Sequence, residues 1–215
     1  SRIRDLEHRI DELAVKAQGG MDYRFQPPSA GFDRQKVHGR VGKLLTVKDS
    51  DACTALEVVA GAKLRNVVVD NEETARSLLK INTQQRTTFI PLAQIRAEPL
   101  NDKARMAQQM LGPDGNQRVC VATEKVDFSP AVRPAMDYVF GGHLVCKEND
   151  DAKRIAFSGD SRVVARCVSY DGDVCDPGGT LTGGSKGQLG DTLKVLSDLR
   201  AVENERDQAR ARYQQ

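Results

Sequence analysis

Tryptophan is absent from this chain of 215 residues, and aromatic residues make up only 5% of it. The chain also lacks any apolar run of 18 residues and any apolar segment of the secretory type, so we expect a soluble protein that does not span a membrane. The hydrophobic content of 39% is still sufficient for one large domain or two small ones. Because the net charge is only +2, affinity for nucleic acid would have to come from a local basic patch.

Cysteine and histidine offer no recognisable chemical site. The five cysteines are odd in number, form no CxxC pair and show no ligand spacing with histidine, which predicts buried free thiols of an intracellular protein and no metal site. They are Cys53, Cys120, Cys146, Cys167 and Cys175. The isolated histidines are His8, His38 and His143. Without a Ser-His-acid or Cys-His motif, we expect a chain that is not an enzyme.

Both ends carry the 3-4 spacing of coiled-coil helices. The first seam consists of Ile3, Leu6, Ile10, Leu13 and Ala17. The second begins with Leu189, Leu193 and Leu196, slips once, and continues through Leu199, Val202, Arg206, Ala209 and Tyr213. Basic and acidic residues balance in each arm, as is usual for solvated coil faces. We therefore expect two antiparallel coiled-coil arms, 1–18 and 188–215, in a piece of a longer protein.

Between the arms, Gly19-Gly20 and Pro27-Pro28 predict that the first helix ends and a flexible linker covers 19–37. The body then alternates short strands with helices, which predicts an α/β (α+β) fold. Helices are expected at 51–60, with Asp51 as its N-cap, and at 71–80, 103–111, 130–140 and 149–157. Strands are expected at 64–69, 87–92, 118–122, 143–146 and 162–169.

The body contains an internal repeat. Residues 55–64 and 135–144 agree in residue class at almost every position with a constant offset of 80, and Asn71 and Asn149 begin similar acidic segments. In each copy we expect a helix that ends at a glycine with a left-handed C-cap, then a strand, then a helix capped by asparagine. This predicts two related subdomains, 38–115 and 116–187.

Residues 171–187 are unusual, because six glycines fall within 172–187. A phosphate-binding P-loop would need lysine after Gly184, where this chain has Ser185, and Cys175 stands where a calcium loop needs a third oxygen ligand. LTGGS is also similar to the signature loop of ABC-type ATPases, but the chain has no Walker motifs. Turn formation, a ligand-binding loop and close approach of two backbones remain as interpretations.

The stretch Gly172-Asp173-x-x-x-Pro177-x-Gly179-Thr180-Leu181-Thr182-Gly183-Gly184-Ser185, preceded by two half-domains and flanked by coils, resembles the hinge of structural maintenance of chromosomes (SMC) proteins. TALEVVAG, LRNVVVDNEETA and YDGDVCDPGGTLTGGS are most similar to a eukaryotic condensin SMC subunit. The resemblance covers nearly the whole chain. The competing interpretation is a nucleotide- or small-ligand-binding domain with coiled-coil appendages that uses the glycine-rich 172–187 loop.

The resemblance implies a dimerisation hinge that joins two SMC arms and forms a ring with a basic channel. Its paired glycines would form the dimer interface, and here they match Gly178, Gly179, Gly183 and Gly184. It further implies a heterodimer with the hinge of the partner condensin SMC subunit, or a weak homodimer in isolation. The fragment would need no cofactor, since ATP and magnesium would bind in head domains that are not part of it. The protein would act in chromosome condensation, on chromosomes in the nucleus and in the cytoplasm outside mitosis.

Family hinges also bind DNA, with a preference for single strands, and a basic segment is the candidate here. Residues 33–48 hold five basic residues and one acid, close to the coil junction. The candidate DNA-binding residues are Lys36, Arg40, Lys43, Lys48, Arg162 and Lys186, with Arg34 and Arg166 nearby. A solvated surface is the alternative for this charge run. Few aromatic residues are available for stacking, so we expect weak, salt-sensitive and non-specific binding.

Overall fold

The computed structural model describes residues 2–82, 86–183 and 191–213, and it mixes helices and short strands as expected. The helices are α1 (Arg2–Met21), α2 (Cys53–Ala60), α3 (Glu72–Ile81), α4 (Asn101–Leu111), α5 (Gly115–Arg118), α6 (Arg133–Phe140), α7 (Asn149–Ala156) and α8 (Thr192–Tyr213). The strands are β1 (Val37–Arg40), β2 (Leu45–Val47), β3 (Val67–Val69), β4 (Phe89–Pro91), β5 (Val119–Val121), β6 (Val126–Phe128), β7 (Leu144–Cys146), β8 (Cys167–Ser169), β9 (Val174–Cys175) and β10 (Leu181–Thr182).

Two open sheets share one topology. The first sheet has the order β1-β3-β4, with β1 antiparallel and β4 parallel to β3. The second contains the same arrangement as β5-β7-β8 and is extended by the antiparallel strands β9 and β10 beyond β8. The internal repeat predicted from the sequence is therefore present in three dimensions. The domain boundaries drawn around it remain predictions.

A short antiparallel ribbon of β2 and β6 links the two halves. Thr46 lies opposite Asp127, and Leu45 and Val47 lie opposite Phe128 and Val126. This register is symmetric, so an approximate twofold axis exchanges β2 and β6. Each residue of β2 then corresponds to the residue of β6 that lies 81 positions later in the chain. Helices α2 and α6 keep the predicted offset of 80, and they pack against each other.

The predicted offset of 80 holds for the helices but not for the residues that follow them. Six residues, the 3-10 helix Gly61–Arg65 and Asn66, separate α2 from β3, whereas only three residues separate α6 from β7. Strand β3 therefore corresponds to β7 with an offset of 77. Because of this shift, Asn71 corresponds to Glu148 and Asn66 corresponds to His143. An expected pairing of Asn71 with Asn149 does not hold.

The main core lies where the two halves meet. Helices α2 and α6 bury their apolar faces there, and Leu56, Met136 and Phe140 have no exposed surface. The apolar positions of TALEVVA fall on one helical face, which explains why this segment forms a buried helix. Smaller clusters lie between each sheet and its outer helices. The ribbon and helix pair thus hold the two sheets in a fixed relation.

Several local predictions need correction. Asp51 is not the N-cap of α2, because the Asp49 carboxylate accepts the backbone N–H of Asp51 and caps a preceding 3-10 turn. The left-handed C-caps predicted for both helices are not formed: Gly61 has φ +50° but ψ −133°, outside the left-handed helical region, and Gly141 has φ −64°. Asn71 does cap α3 by accepting the N–H of Thr74.

The first helix does not stop at Gly19-Gly20, so that prediction is wrong: α1 continues to Met21. Met21 is 2% exposed and packs on Gly42 next to Leu196 of α8. Helical side-chain packing into the core outweighs the cost of two glycines, which is about 1 kcal/mol each in a helix.

The two arms run antiparallel. The end of α1 and the start of α8 both contact the body, whereas Arg2 and Glu7 pair with Glu205 and Arg210 at their far ends. The slip in the second seam does not separate two sets of partners, because Leu199 after it packs against the same core as Leu193 and Leu196 before it. Leu193 and Leu196 join the body core, and Val202 is buried further along α8, where α1 and α8 pack together.

The segment predicted to be a linker has neither helix nor strand between residues 22 and 33. Its aromatic side chains nevertheless pack against the first sheet, where Tyr23, Phe25 and Phe32 cover a small cluster that includes Val67 and Leu78. None of the helices described for this chain is long and apolar enough to cross a bilayer.

Candidate dimer interface and basic surface

The glycine-rich stretch forms a tight hairpin between β9 and β10. The N–H of Asp176 donates to Thr180 O at 2.9 Å, and the N–H of Gly179 donates back to Asp176 O at 2.9 Å. Gly179 has φ +95°, a conformation that side chains disfavour, and the N–H of Gly178 donates to the Asp176 carboxylate at 2.9 Å. These two predicted interface glycines therefore have a role within the turn itself.

Strand β10 lies at the edge of its sheet. Thr180 and Thr182 face β9 in the ladder, so the N–H and C=O of Leu181 point away from it. The Leu181 side chain is 59% exposed. An unpaired edge with an exposed apolar side chain is the usual surface for pairing with another strand.

Gly183 has a steric reason to be glycine inside the protomer. A β-carbon at this position would lie 2.4 Å from Asp173 Oδ1, while Asp173 Oδ2 accepts a hydrogen bond from Asn149 Nδ2 at 2.9 Å. The carboxylate is thus held in place by α7 and cannot easily move aside. Gly184, the fourth predicted interface glycine, lies outside the described residues.

The first sheet also ends in an open edge. In β4, Thr88 O accepts from Val67 N at 2.9 Å and Leu92 N donates to Val69 O at 2.8 Å, so the N–H and C=O of Phe89 face outward. The C=O of Pro91 is already occupied, because it accepts from the N–H groups of Gln94 and Ile95 in the following turn. Proline lacks an N–H and is tolerated in a strand where no ladder bond is required. In the second sheet the corresponding edge, that of β8, is covered by β9.

The predicted DNA-binding residues differ in whether a nearby carboxylate forms an ion pair with them. Lys43 pairs with Asp22, and Lys48 lies 3.4 Å from Asp127 Oδ1. Arg162 pairs with Asp160 at 2.9 Å. Lys36 is exposed, and no carboxylate in the described ranges lies within ion-pair distance of it. Nε of Arg166, a residue that the sequence analysis placed near these candidates, lies 3.4 Å from Asp176 Oδ2. Lys186 falls outside the described residues.

Arg40 has a structural role that the charge count did not reveal. Its Nη1 donates to Arg65 O at 3.0 Å, and its guanidinium lies 6.0 Å from the centre of the Tyr23 ring. Arg34 lies over the Phe25 ring at 5.0 Å, and Phe25 stacks on Tyr23 with centroids 5.5 Å apart. The aromatic rings of the segment predicted to be a linker therefore lie under Arg34 and Arg40. The sequence did not indicate this contact, because the rings and the basic residues are separated along the chain.

The root of the C-terminal arm was also missed. The Glu57 carboxylate accepts the backbone N–H of Leu193 in the first turn of α8. Burial raises the pKa of Glu57 to about 7, the hydrogen bond from Leu193 opposes this, and the Asp191 carboxylate adds to it. Arg200 donates to Lys43 O at 3.0 Å and to the carbonyl of Leu45. A carboxylate on an otherwise apolar helix, such as Glu57 in α2, is a sequence signal for a buried polar contact. The sequence does not show that its partner is the N–H of Leu193.

The cysteines and histidines are placed as expected for non-catalytic groups. All five cysteines are buried and unpaired, and burial raises the pKa of Cys53 to about 11. His143 is half-buried, and burial with Arg166 and Lys63 nearby lowers its pKa to about 4. Within the described residues, no group of acidic, histidine or cysteine side chains could hold a metal ion.

Comparison with protein families identifies the family to which this fold belongs. The sequence model of the SMC proteins flexible hinge domain matches residues 34–156, which run from just before β1 to the end of α7. The chain belongs to the SMC hinge family. This confirms the family resemblance and the α+β fold class predicted from the sequence. The hinge is a dimerisation domain with no catalytic activity.

Several relatives are similar over most of the chain. The human structural maintenance of chromosomes protein 2 is 41% identical over 185 residues, covering 85% of this chain and 15% of the relative. Structural maintenance of chromosomes protein 2-1 of Arabidopsis thaliana is 38% identical over 205 residues, covering 94% of this chain and 17% of the relative. The SMC hinge described here thus spans about a sixth of the length of these relatives.

Solved hinges have the same architecture. The asymmetric dimer of the Geobacillus stearothermophilus SMC hinge domain is 29% identical, has a TM-score of 0.66, and covers 98% of this chain and 88% of that one. The Pyrococcus furiosus Smc hinge domain with an extended coiled coil has a TM-score of 0.55 at 18% identity, covering 98% of this chain and 68% of that one. The second likeness concerns the fold alone. SMC hinges form dimers with another SMC hinge.

Proposed function

We propose that this hinge joins the arms of a condensin-type SMC subunit, similar to structural maintenance of chromosomes protein 2, to those of its partner SMC subunit. The fragment itself is not catalytic, and ATP hydrolysis belongs to head domains elsewhere in the parent protein. The proposed cellular role is chromosome condensation and segregation, on nuclear chromosomes. Support comes from the hinge family, from the relatives, and from the geometry of the sheet edges.

The observation that carries the dimer proposal is the pair of open strand edges. Strand β10 presents the N–H and C=O of Leu181, and β4 presents those of Phe89. The two edges belong to the two related sheets of one protomer. Pairing β10 of one hinge with β4 of the other, twice around a twofold axis, would extend both sheets and close a ring.

The test uses substitutions at β10. Leu181→Glu adds charge to the exposed apolar contact, and Leu181→Pro removes an N–H that faces away from β9, so both variants should dimerise at least tenfold more weakly in sedimentation velocity. Val15→Glu is the matched control, since Val15 is 74% exposed and lies on α1. The measurement is made with the hinge alone and with a partner condensin hinge. Unchanged association of both Leu181 variants in both mixtures would contradict the proposal.

We also propose weak binding of DNA, with a preference for single strands, at the basic surface near the coil junction. Arg34 and Lys36 are the exposed cations that the proposal relies on, with the rings of Phe25 and Tyr23 next to them. Lys43, Lys48 and Arg162 contribute less because nearby carboxylates already neutralise them. Phosphate contacts of this kind give salt-dependent affinity without base specificity.

A further inference from the structure

The C-terminal arm is anchored in a groove of the first subdomain. Helix α2, strand β2 and the 3-10 turn Val41–Lys43 form its walls. Four hydrogen bonds of α8 define the anchoring. Glu57 accepts the N–H of Leu193, and Arg200 donates to the carbonyls of Lys43 and Leu45 and to the Thr46 hydroxyl.

The corresponding elements of the second subdomain surround an open cavity of about 510 Å³. Three of its walls are α6, β6 and the 3-10 turn Ala122–Lys125, which are the repeat counterparts of α2, β2 and the Val41–Lys43 turn. Lys48 after β2, and Pro99 and Asn101 at the start of α4, complete the lining. The counterparts of Glu57, Lys43, Leu45 and Thr46 are Asp137, Glu124, Val126 and Asp127, and all four line the cavity. The cavity is therefore the second copy of the α8 groove, and no described element of this chain fills it.

Two polar groups in this second groove have no hydrogen-bond partner in the described part of the chain. Thr123 is only 8% exposed, yet its hydroxyl is buried with no hydrogen-bond partner in the described part of the chain. The Asp137 carboxylate is only partly buried; it has no hydrogen-bond partner among the described residues, and burial raises its pKa although Arg133 opposes this. Buried polar groups in native proteins are normally paired, so unpaired ones that line a cavity indicate a missing ligand.

We propose that this cavity is a helix-docking groove for a partner protein. Its occupant is the first two turns of an amphipathic helix, with an arginine seven residues after the position whose N–H binds Asp137. That spacing is the one that separates Leu193 from Arg200 in α8. The groove is separate from the proposed dimer edges, because none of its lining residues lies on β4 or β10.

Charge favours such an occupant. The cavity holds the carboxylates of Glu124, Asp127 and Asp137 against the cations of Lys48 and Arg133. A helix N-terminus carries partial positive charge, which Asp137 can bind as Glu57 does in the first groove. Asp127 stands in the place of Thr46, so an incoming arginine gains a charged acceptor. The exposed contact of Lys48 with Asp127 at 3.4 Å is weak enough to be replaced.

The probe for this groove is a peptide of residues 191–203 of this chain, which carries the α8 anchors. A lactam between Lys194 and Asp198, which are exposed and four residues apart, keeps it helical. Fluorescence anisotropy of the labelled peptide is measured against the intact hinge. We expect saturable binding that weakens at least tenfold with Asp137→Asn combined with Asp127→Asn, and also with Arg200→Gln in the peptide. Asp150→Asn, on the exposed face of α7, is the control and should leave binding unchanged.

Three results would overturn the proposal. The first is no saturable binding by the intact hinge. The second is binding that persists in the Asp137/Asp127 double variant, with a urea midpoint showing that the variant is folded. The third is binding that Glu57→Gln weakens but substitution of Asp137 does not, since the peptide would then be replacing α8 in the first groove. Sedimentation of the same variants keeps this result separate from the dimer proposal.

Discussion

The carboxylate of Glu57 in α2 binds the backbone N–H of Leu193 in the first turn of α8, 136 residues later in the chain. This contact fixes the start of the C-terminal arm on the hinge body. Together with the bonds from Arg200 to β2 and to the turn before it, this contact orients α8 on the body.

Glu57 should make the hinge less stable as the pH rises. Its pKa is about 7 in the folded protein against an ordinary value of 4.5, so the folded state holds an extra proton between these values. Stability is therefore lost between pH 4.5 and 7 and stays low above pH 7. Glu57→Gln keeps an acceptor for Leu193 and should flatten this dependence in urea unfolding, whereas Glu73→Gln on the exposed face of α3 should not. Equal pH slopes for wild type and Glu57→Gln would refute the assignment.

His143 should act in the opposite direction. Its pKa falls from the ordinary 6.5 to about 4 in the folded protein, so the unfolded chain binds the extra proton between these values. Stability therefore rises from pH 4 to 6.5. His143→Asn, which places there the residue found at the equivalent position 66, should reduce this rise. The exposed His8→Asn is the control, and a wild-type slope in His143→Asn would show that His143 does not titrate as described.

Gly183→Ala should destabilise the hinge even as a monomer, because the new β-carbon meets the Asp173 carboxylate. We expect a cost of about 1–3 kcal/mol, as for other overpacked sites. In the Asp173→Ala background the same substitution should cost clearly less, which a double-mutant cycle measures by urea unfolding.

Gly31→Ala is the matched control for this cycle. A β-carbon at Gly31 would meet no atom within 4 Å, so its cost should be small. If Gly183→Ala costs the same in both backgrounds, the steric explanation is wrong. If it leaves the monomer unchanged and weakens only the dimer, Gly183 acts at the interface as the sequence first indicated.

DNA binding should depend on Lys36 more than on Lys43. Lys36→Gln should lower the slope of log affinity against log salt by roughly 1, the value for one lost phosphate contact. Lys43→Gln should leave the slope nearly unchanged, because Lys43 is already paired with Asp22. Anisotropy titrations with single-stranded oligonucleotides over a salt series would measure both. Equal slope changes for the two variants would contradict this ranking.

Local patterns predicted much of the fold. The 3-4 spacing of apolar residues from Ile3 to Ala17 predicted the first arm, and the apolar face of residues 55–59 predicted α2. Both predictions were possible because they depend on periodicity over a few helical turns. Strands β9 and β10 were missed, since strands of two residues give no alternating pattern. The end of α1 was misplaced because Gly19-Gly20 disfavours a helix locally, whereas the burial of Met21 stabilises it.

The candidate sites divide in the same way. The sequence identified the glycines of the β9–β10 hairpin, because turns and edges select residues locally. It could not separate Lys36 from Lys43, since the carboxylate that neutralises Lys43 reaches it only after α1 and the body pack.

The sequence by itself determined the family, the two arms and the repeat, because these depend on residue types at short and regular spacings. Only the tertiary structure decided which charges are free, why Gly183 lacks a side chain, and which groove α8 occupies. Those facts depend on contacts such as Glu57 with Leu193, whose partners lie far apart along the chain and meet only when the two subdomains and the arms have packed together.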